Sequence, residues 1–335
     1  MKNPKLLVLF IVPIFILFVV IGLSLWWKSA RLAPSNNEEE VRVLITNGMS
    51  TEAIGRELAD AGVIRSAFAF KLYSQFTDKT KGIPPGEFLV PQNLDIDGVI
   101  DLLKEGPTEY WVTIPEGLRR EEIPARFLEG LSLEGTDADN FVRGFLSASR
   151  NLEGFLFPDS YLFPPDITPQ AAVDRLNTTF YAKVGQDYEQ QARSVGLTMN
   201  EAVTLASLIE RETISDEERP IVAGIAFNRM ELGMPLQMDA SVQYVLGDSR
   251  CNEEEYDCDW WDPPLKADLQ INSRYNTYTN QGLPPAPIAS PGLDSLMAVV
   301  SPEESDYLYY IHADGKIYYA QTLDGHNANV SEYLR

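Results

Sequence analysis

The 335-residue sequence is poor in the residues that usually announce enzyme chemistry. It has only two histidines, His312 and His326, and only two cysteines, Cys251 and Cys258. No Cys-x-x-Cys pair and no Cys/His cluster occurs, which argues against a zinc site and against any resident metal. GxSxG, GxGxxG, Walker A and HExxH patterns are absent, so a serine-hydrolase elbow, a dinucleotide fold, a P-loop and a zincin helix have no support. No cofactor is implied. Positive charge is also scarce: 27 basic residues face 49 acidic ones, a net charge of −22. Such a surface repels phosphate backbones and makes nucleic acid a poor partner. The 44% hydrophobic content is ample for a folded core.

One long apolar run is present. Leu6 to Trp27 are 22 consecutive uncharged, mostly apolar residues, enough for a helix to cross a hydrocarbon core of about 30 Å. Pro13 is tolerable in a membrane helix, and Trp26 and Trp27 suit the far interface. The run is too long for the core of a cleaved signal peptide, so an uncleaved anchor over 1–31 is expected. Lys2 and Lys5 precede the span while Lys28 and Arg31 follow it, so basic residues barely orient it. A large body follows, led by Glu38, Glu39 and Glu40, and the expected topology is a short cytoplasmic tail with an extracytoplasmic body.

Beyond a polar linker at 32–40, the patterning is mixed α+β. A short repeat stands out. Ile45, Gly48, Ile54 and Leu58 are spaced 3, 6 and 4, and Ile114, Gly117, Ile123 and Phe127 repeat that spacing. Each copy predicts a strand, a glycine turn and a helix with apolar residues four apart. Gly86–Val90 reads as a strand and 97–106 as a helix. Strands around helices in 41–150 resemble a LysM-like module, a small fold that grips N-acetylglucosamine polymers. From 151 to 335, one long helix is expected over 169–196, carrying Ala172, Leu176, Phe180 and Val184 on a stripe. A hairpin is expected at 307–320 around the Asp314-Gly315 turn.

Carboxylates are the chemistry that remains. Thr198 and Glu201 form a capping box for a helix running to about Thr213. On it, Glu210 stands over Ala206 and Val203, a small apolar stripe. A carboxyl buried at the floor of a cleft suits a general acid, because burial favours the neutral form. Equally, Glu210 could pair with Arg211 or Arg229 near the helix end. Glu212, about 200° further round the helix, fits a supporting role. Cys251 and Cys258 are either two thiols of a surface loop or a disulfide formed in an oxidising compartment.

Several segments together resemble the endolytic murein transglycosylases, the YceG-like family. They are LASLIERET, ERPIVAGIAFNRMELGMPLQMDASVQYVLG, EGFLFPDSYLF and YNTYTNQGLPPAPIASPGLDSL, in matching order. The resemblance implies a YceG-like α+β catalytic domain over 151–335 behind a single transmembrane helix and the LysM-like subdomain. It implies Glu210 as catalytic acid/base. It places Gln237, Asp239, Tyr275, Asn276 and Tyr278 at the substrate, with Glu212, Asn228, Ser295 and His326 in support. The implied reaction is endolytic cleavage of the MurNAc–GlcNAc bond of glycan strands, leaving a 1,6-anhydro end. The implied partners are peptidoglycan strands and cell-wall synthases or division proteins. Two rivals stay open: a hydrolytic muramidase using Asp239 as second carboxylate, and a non-catalytic anchored scaffold that binds glycan. The acidic loop at 248–266 departs from the family pattern; its Trp260 and Trp261 extend a sugar platform or simply pack.

Overall fold

A computed structural model describes residues 4–77, 79–252 and 258–334, with only the backbone of 4–12. Lys2 in the tail, the side chain of Lys5 and the acidic stretch 253–257 of the 248–266 loop lie outside the described residues. The chain forms two compact units, 1–111 with 162–165, and 112–161 with 166–335.

Unit 1 begins with helix α1 (Pro4–Arg31). Among the described residues, this is the one helix long and apolar enough to cross a membrane, with a mean hydropathy of 1.7 over Pro13–Arg31 and only 6% of that window buried. Strand β1 (Glu40–Ile45), helices α2 (Thr51–Asp60) and α3 (Ala67–Thr77), strand β2 (Gly86–Pro91) and helix α4 (Ile96–Glu105) follow. β1 and β2 are antiparallel, with Val43 opposite Phe88 and Val41 opposite Val90. Alternation puts Val43, Ile45, Phe88 and Val90 on one face. There they meet Ile54 and Leu58 of α2, Phe70 of α3 and Val99, Ile100 and Leu103 of α4. Each such side chain, removed from water, contributes about 1.5–3 kcal/mol before entropy is subtracted.

Strand β3 (Tyr110–Thr113) leads to α5 (Ile123–Leu131) and α6 (Gly135–Ala148), which clasp through Phe127, Phe141 and Phe145. Strand β4 (Ser160–Phe163) pairs with β3. The repeat predicted from spacing is real at its turns: Gly48 and Gly117 have φ of 76° and 75°, a left-handed conformation that glycine adopts without cost.

The rest of unit 2 is mostly helical. The single helix expected over 169–196 is two, α7 (Pro169–Val184) and α8 (Tyr188–Ser194). Gly185, at φ 79°, ends the first, and the chain turns so that Tyr188 and Ala192 enter the core. Helix α9 (Met199–Glu212) is the hub, with Ala202 through Ile209 all buried. Around it stand α10 (Glu218–Glu231), α11 (Asp239–Arg250) and α12 (Leu293–Val300). The expected hairpin forms from β5 (Tyr309–Ala313) and β6 (Lys316–Ala320), and α13 (Leu323–Tyr333) closes the chain.

Candidate active site

α9 has the predicted capping box at its start: the Glu201 N–H donates to Thr198 Oγ1, and the Thr198 N–H donates to the Glu201 carboxylate. That fixes where the helix begins and therefore what its last turn presents. Glu210 lies in that turn with its side chain only 7% exposed. Its Oε2 accepts from the Gly292 N–H at 3.0 Å and from Ser295 Oγ at 2.8 Å. Gly292 caps α12, so the carboxylate meets the positive end of that helix. Oε1 faces Arg219 Nη2 of α10 at 3.4 Å. The cation is Arg219 rather than Arg211 or Arg229. Arg211 stacks on the Trp261 ring at 3.9 Å, and Arg229 donates to the carbonyls of Leu236 and Leu308.

Arg219 is a shared hub. Its Nε donates to Ser295 Oγ at 3.0 Å, Nη1 pairs with Asp216, and Nη2 is 3.8 Å from Glu116 Oε2. Glu116 sits in the glycine turn after β3. That turn is stitched to the segment before α12, Gly117 N–H to the Ser290 carbonyl and Ser290 N–H to the Leu118 carbonyl, both at 2.8 Å. Glu116 is thereby pressed against Gly292; a Cβ there would overlap its carboxylate at 1.9 Å. Burial, and then the negative charge of Glu210, push the Glu116 carboxyl above the ordinary value. Its side chain remains 49% exposed, so it faces the open side of the cluster. Two carboxylates, one deep and one accessible, thus share one guanidinium.

A second group of residues gathers around Glu212 and the start of α11. Glu212 accepts from Tyr310 Oη at 3.0 Å and from the Ala240 N–H at 3.4 Å, and burial raises its carboxyl. Asp239, exposed at the start of α11, accepts from Tyr278 Oη at 2.6 Å. Gln237 is exposed, and its backbone has φ 53°, an uncommon conformation for a side-chain-bearing residue that functional loops tend to retain. Its N–H donates to the Thr277 carbonyl at 3.0 Å.

Other expected site residues are placed elsewhere. Asn276 is wholly buried: its amide donates to the Leu269 and Ile271 carbonyls and accepts from the Tyr278 N–H. It braces the loop that carries Tyr278, and both hydrogens of its side-chain amide are committed to that loop. Tyr275 packs on Tyr244 with ring centroids 5.0 Å apart. Asn228 donates to the carbonyls of Ser305 and Tyr307, fastening α10 to the approach of the hairpin. His326 packs against Tyr309 at 5.3 Å, and its buried Nδ1 has no hydrogen-bond partner. Burial, then Arg229, lower its imidazole below the ordinary value. Neither Asn228 nor His326 touches the Glu210 cluster. Ser295 does, through its hydroxyl. Trp260 is buried against Arg119, and Trp261 donates to Glu122 while covering Arg211, so both indoles pack. Cys251 and Cys258 are disulfide-bonded, with Cα atoms 5.9 Å apart.

Sequence reasoning missed Glu116, Arg219 and Gly292. The spacing around Gly117 marks a turn and says nothing of Glu116. Arg219 and Gly292 lay inside segments quoted for the resemblance, but nothing in their spacing marked them as partners of Glu210.

Comparison with known proteins places the chain among relatives of one family. The YceG-like family matches residues 43–332. An endolytic murein transglycosylase of Bacillus subtilis (strain 168) is 29% identical, over 94% of this chain and 91% of that protein. One of Streptococcus pneumoniae (strain ATCC BAA-255 / R6) is 28% identical over 90% of this chain, but this chain spans only 59% of the length of that relative. The crystal structure of a putative yceG-like protein from Listeria monocytogenes superimposes with a TM-score of 0.58 at 27% identity, covering 87% of this chain and 98% of that one.

Proposed function

The chain belongs to the YceG-like family, and from that premise we propose that it is a membrane-anchored lytic transglycosylase of peptidoglycan with Glu210 as its acid/base. One observation carries the assignment. Glu210 is a nearly buried carboxyl held in one orientation by a helix N-terminus, a serine hydroxyl and a guanidinium, beside an accessible second carboxyl. Such fixed orientation is what proton transfer to a bound substrate requires. Protonated Glu210 donates to the oxygen linking N-acetylmuramic acid to N-acetylglucosamine. The C–O bond breaks, and the oxocarbenium-like centre is captured by the muramic C6 hydroxyl. Glu210, now ionised, takes that hydroxyl proton. The product is a 1,6-anhydro end, and the enzyme returns to its starting state. Arg219 and the Gly292 N–H steady the carboxylate between the two transfers. Gln237, Asp239 and Tyr278 form the adjoining wall for the sugar.

A second reading, hydrolysis by a carboxylate pair, draws on Glu116. That residue shares Arg219 with Glu210, whereas Asp239 is engaged by Tyr278. Glycosidases that use water need a second carboxyl near the first. Mass spectrometry of purified glycan strands separates the readings. Transglycosylation yields products lighter by one water than hydrolysis products. Glu210→Gln should lower cleavage by roughly 10²–10⁴-fold, the usual contribution of a general acid/base. Wild-type rates in a folded Glu210→Gln protein would sink the assignment. Reducing-end products would move it to a muramidase, with Glu116→Gln as the next variant. Intact strands that still bind would favour the scaffold.

The body is assigned to the extracytoplasmic side with the N-terminus in the cytoplasm. The Cys251–Cys258 disulfide supports this, because such bonds persist in oxidising compartments. Within 41–150, antiparallel β1 and β2 around α2 and α3 support the LysM-like reading and a glycan-gripping role. Residues 151–335, with the turn that carries Glu116, form the catalytic part.

A further inference from the structure

Helix α3 is fastened to the end of α1 at two points. The Phe68 ring lies 6.0 Å from the Trp26 ring. The Arg31 guanidinium sits over the Tyr73 ring at 4.7 Å. Just past α3, Lys79 and Arg31 bind the same carboxylate, Asp97, each at 2.7 Å. The depth at which Trp26 and Arg31 rest therefore sets the depth of α3. Arg31 is five residues beyond Trp26, about 7.5 Å along the axis, so this stretch covers the passage from apolar core to headgroups.

On α3, Phe68 is 60% exposed and Phe76 is 79% exposed. They are eight residues apart, about 80° round the helix, and so share one half of it. Two phenyl rings turned to water beside the end of an apolar helix are costly in water and favourable at a bilayer interface. Charge points the same way. Residues 62–85 carry four basic side chains (Arg65, Lys71, Lys79 and Lys81) and one acidic one, in a chain with net charge −22, and two of the four, Lys71 and Lys79, pair with Glu52 and Asp97.

We propose that α3 is a second membrane contact, an interfacial helix that lays Phe68 and Phe76 into the surface of an anionic bilayer where α1 emerges. The contact is continuous with the anchor and holds unit 1 against the lipid. It rests on α1 spanning the membrane and is independent of the chemistry assigned to Glu210.

The test uses the full chain in vesicles of phosphatidylcholine and phosphatidylglycerol with nitroxide-labelled acyl chains. The two natural cysteines are bonded to each other, so a single introduced thiol can carry an environment-sensitive fluorophore. Labels go at Phe68→Cys, Phe76→Cys and Gln75→Cys, the last keeping both phenyl rings. Leu17→Cys in α1 and Arg56→Cys on the exposed side of α2 serve as references. The expected result is quenching about twofold or more at 17, 68, 75 and 76, and none at 56. Omitting phosphatidylglycerol should weaken quenching on α3 and leave position 17 unchanged. Quenching at 17 with positions 68, 75 and 76 matching 56 would overturn the proposal while leaving the anchor in place. No quenching at 17 would overturn both. Blue-shifted but unquenched labels on α3 would assign that face to a protein partner or a second copy, and would also overturn it.

Discussion

Arg219 pairs with three carboxylates, those of Glu210, Glu116 and Asp216, and among the described residues it is the cation ion-paired with Glu210. Removing it leaves negative charges to repel one another, which favours protonated forms. In Arg219→Gln, the alkaline limb of the pH–rate profile for strand cleavage, where the protonated acid is lost, should move to higher pH. An unmoved limb in a folded variant would detach Arg219 from the chemistry. A separate pair, Glu121 and Glu153, lies by Arg119 and Arg120. Burial first, then the charge of Glu121, raise the Glu153 carboxyl above its ordinary 4.5. The folded protein thus keeps a proton that the unfolded chain gives up. This group costs stability as pH climbs past 4.5, and costs nothing below it. Glu153→Gln should therefore gain stability over the wild type between pH 5 and pH 9, and match it near pH 4, in urea unfolding. The reverse trend would mean that Glu153 is held ionised by its arginines. Glu210 stood out in the sequence because it breaks an apolar stripe. Its partners did not, because each lies far along the chain and only the fold brings it near.

Elements were more legible than contacts. The α9 capping box is a local hydrogen-bond pattern, so four residues sufficed to predict it. Thr198→Ala should cost about 1 kcal/mol, read as a lower urea midpoint. No change would mean that packing alone sets the start of α9. The β5–β6 hairpin was equally local: Asp314 and Gly315 both have positive φ, the conformation its turn needs. The helix expected across 169–196 failed at Gly185, where an apolar stripe continues in the sequence but the backbone turns. Reducing the Cys251–Cys258 bond should lower stability by about 2.5 kcal/mol at most, since the closed loop is short. A larger loss on calorimetry with reductant would show that the bond also positions Trp260 and Trp261, which follow it directly.

For the whole molecule, the sidedness of the proposed anchor is the feature with the widest consequence. In sealed right-side-out membrane vesicles, added protease should digest the body and leave a fragment of a few kilodaltons that contains α1. Protection of the body would reverse the proposed topology. The sequence by itself determined what depends on neighbours along the chain. It specified the length of the apolar span, the caps and turns, the alternation within β1 and β2, the motifs that place the chain in its family and the candidacy of Glu210. Tertiary structure decided which cation faces Glu210, that Glu116 stands beside it and that Asn276 is spent on its own loop. It also decided that Trp260 and Trp261 cover arginines and that α3 is moored to the end of α1. The physical reason is the range of the interactions. Periodicity, capping and backbone conformation act over a few residues and leave a local pattern. Ion pairs and packing join residues such as Glu116, Arg219 and Gly292, whose closeness is a property of the folded chain and leaves no mark in their spacing.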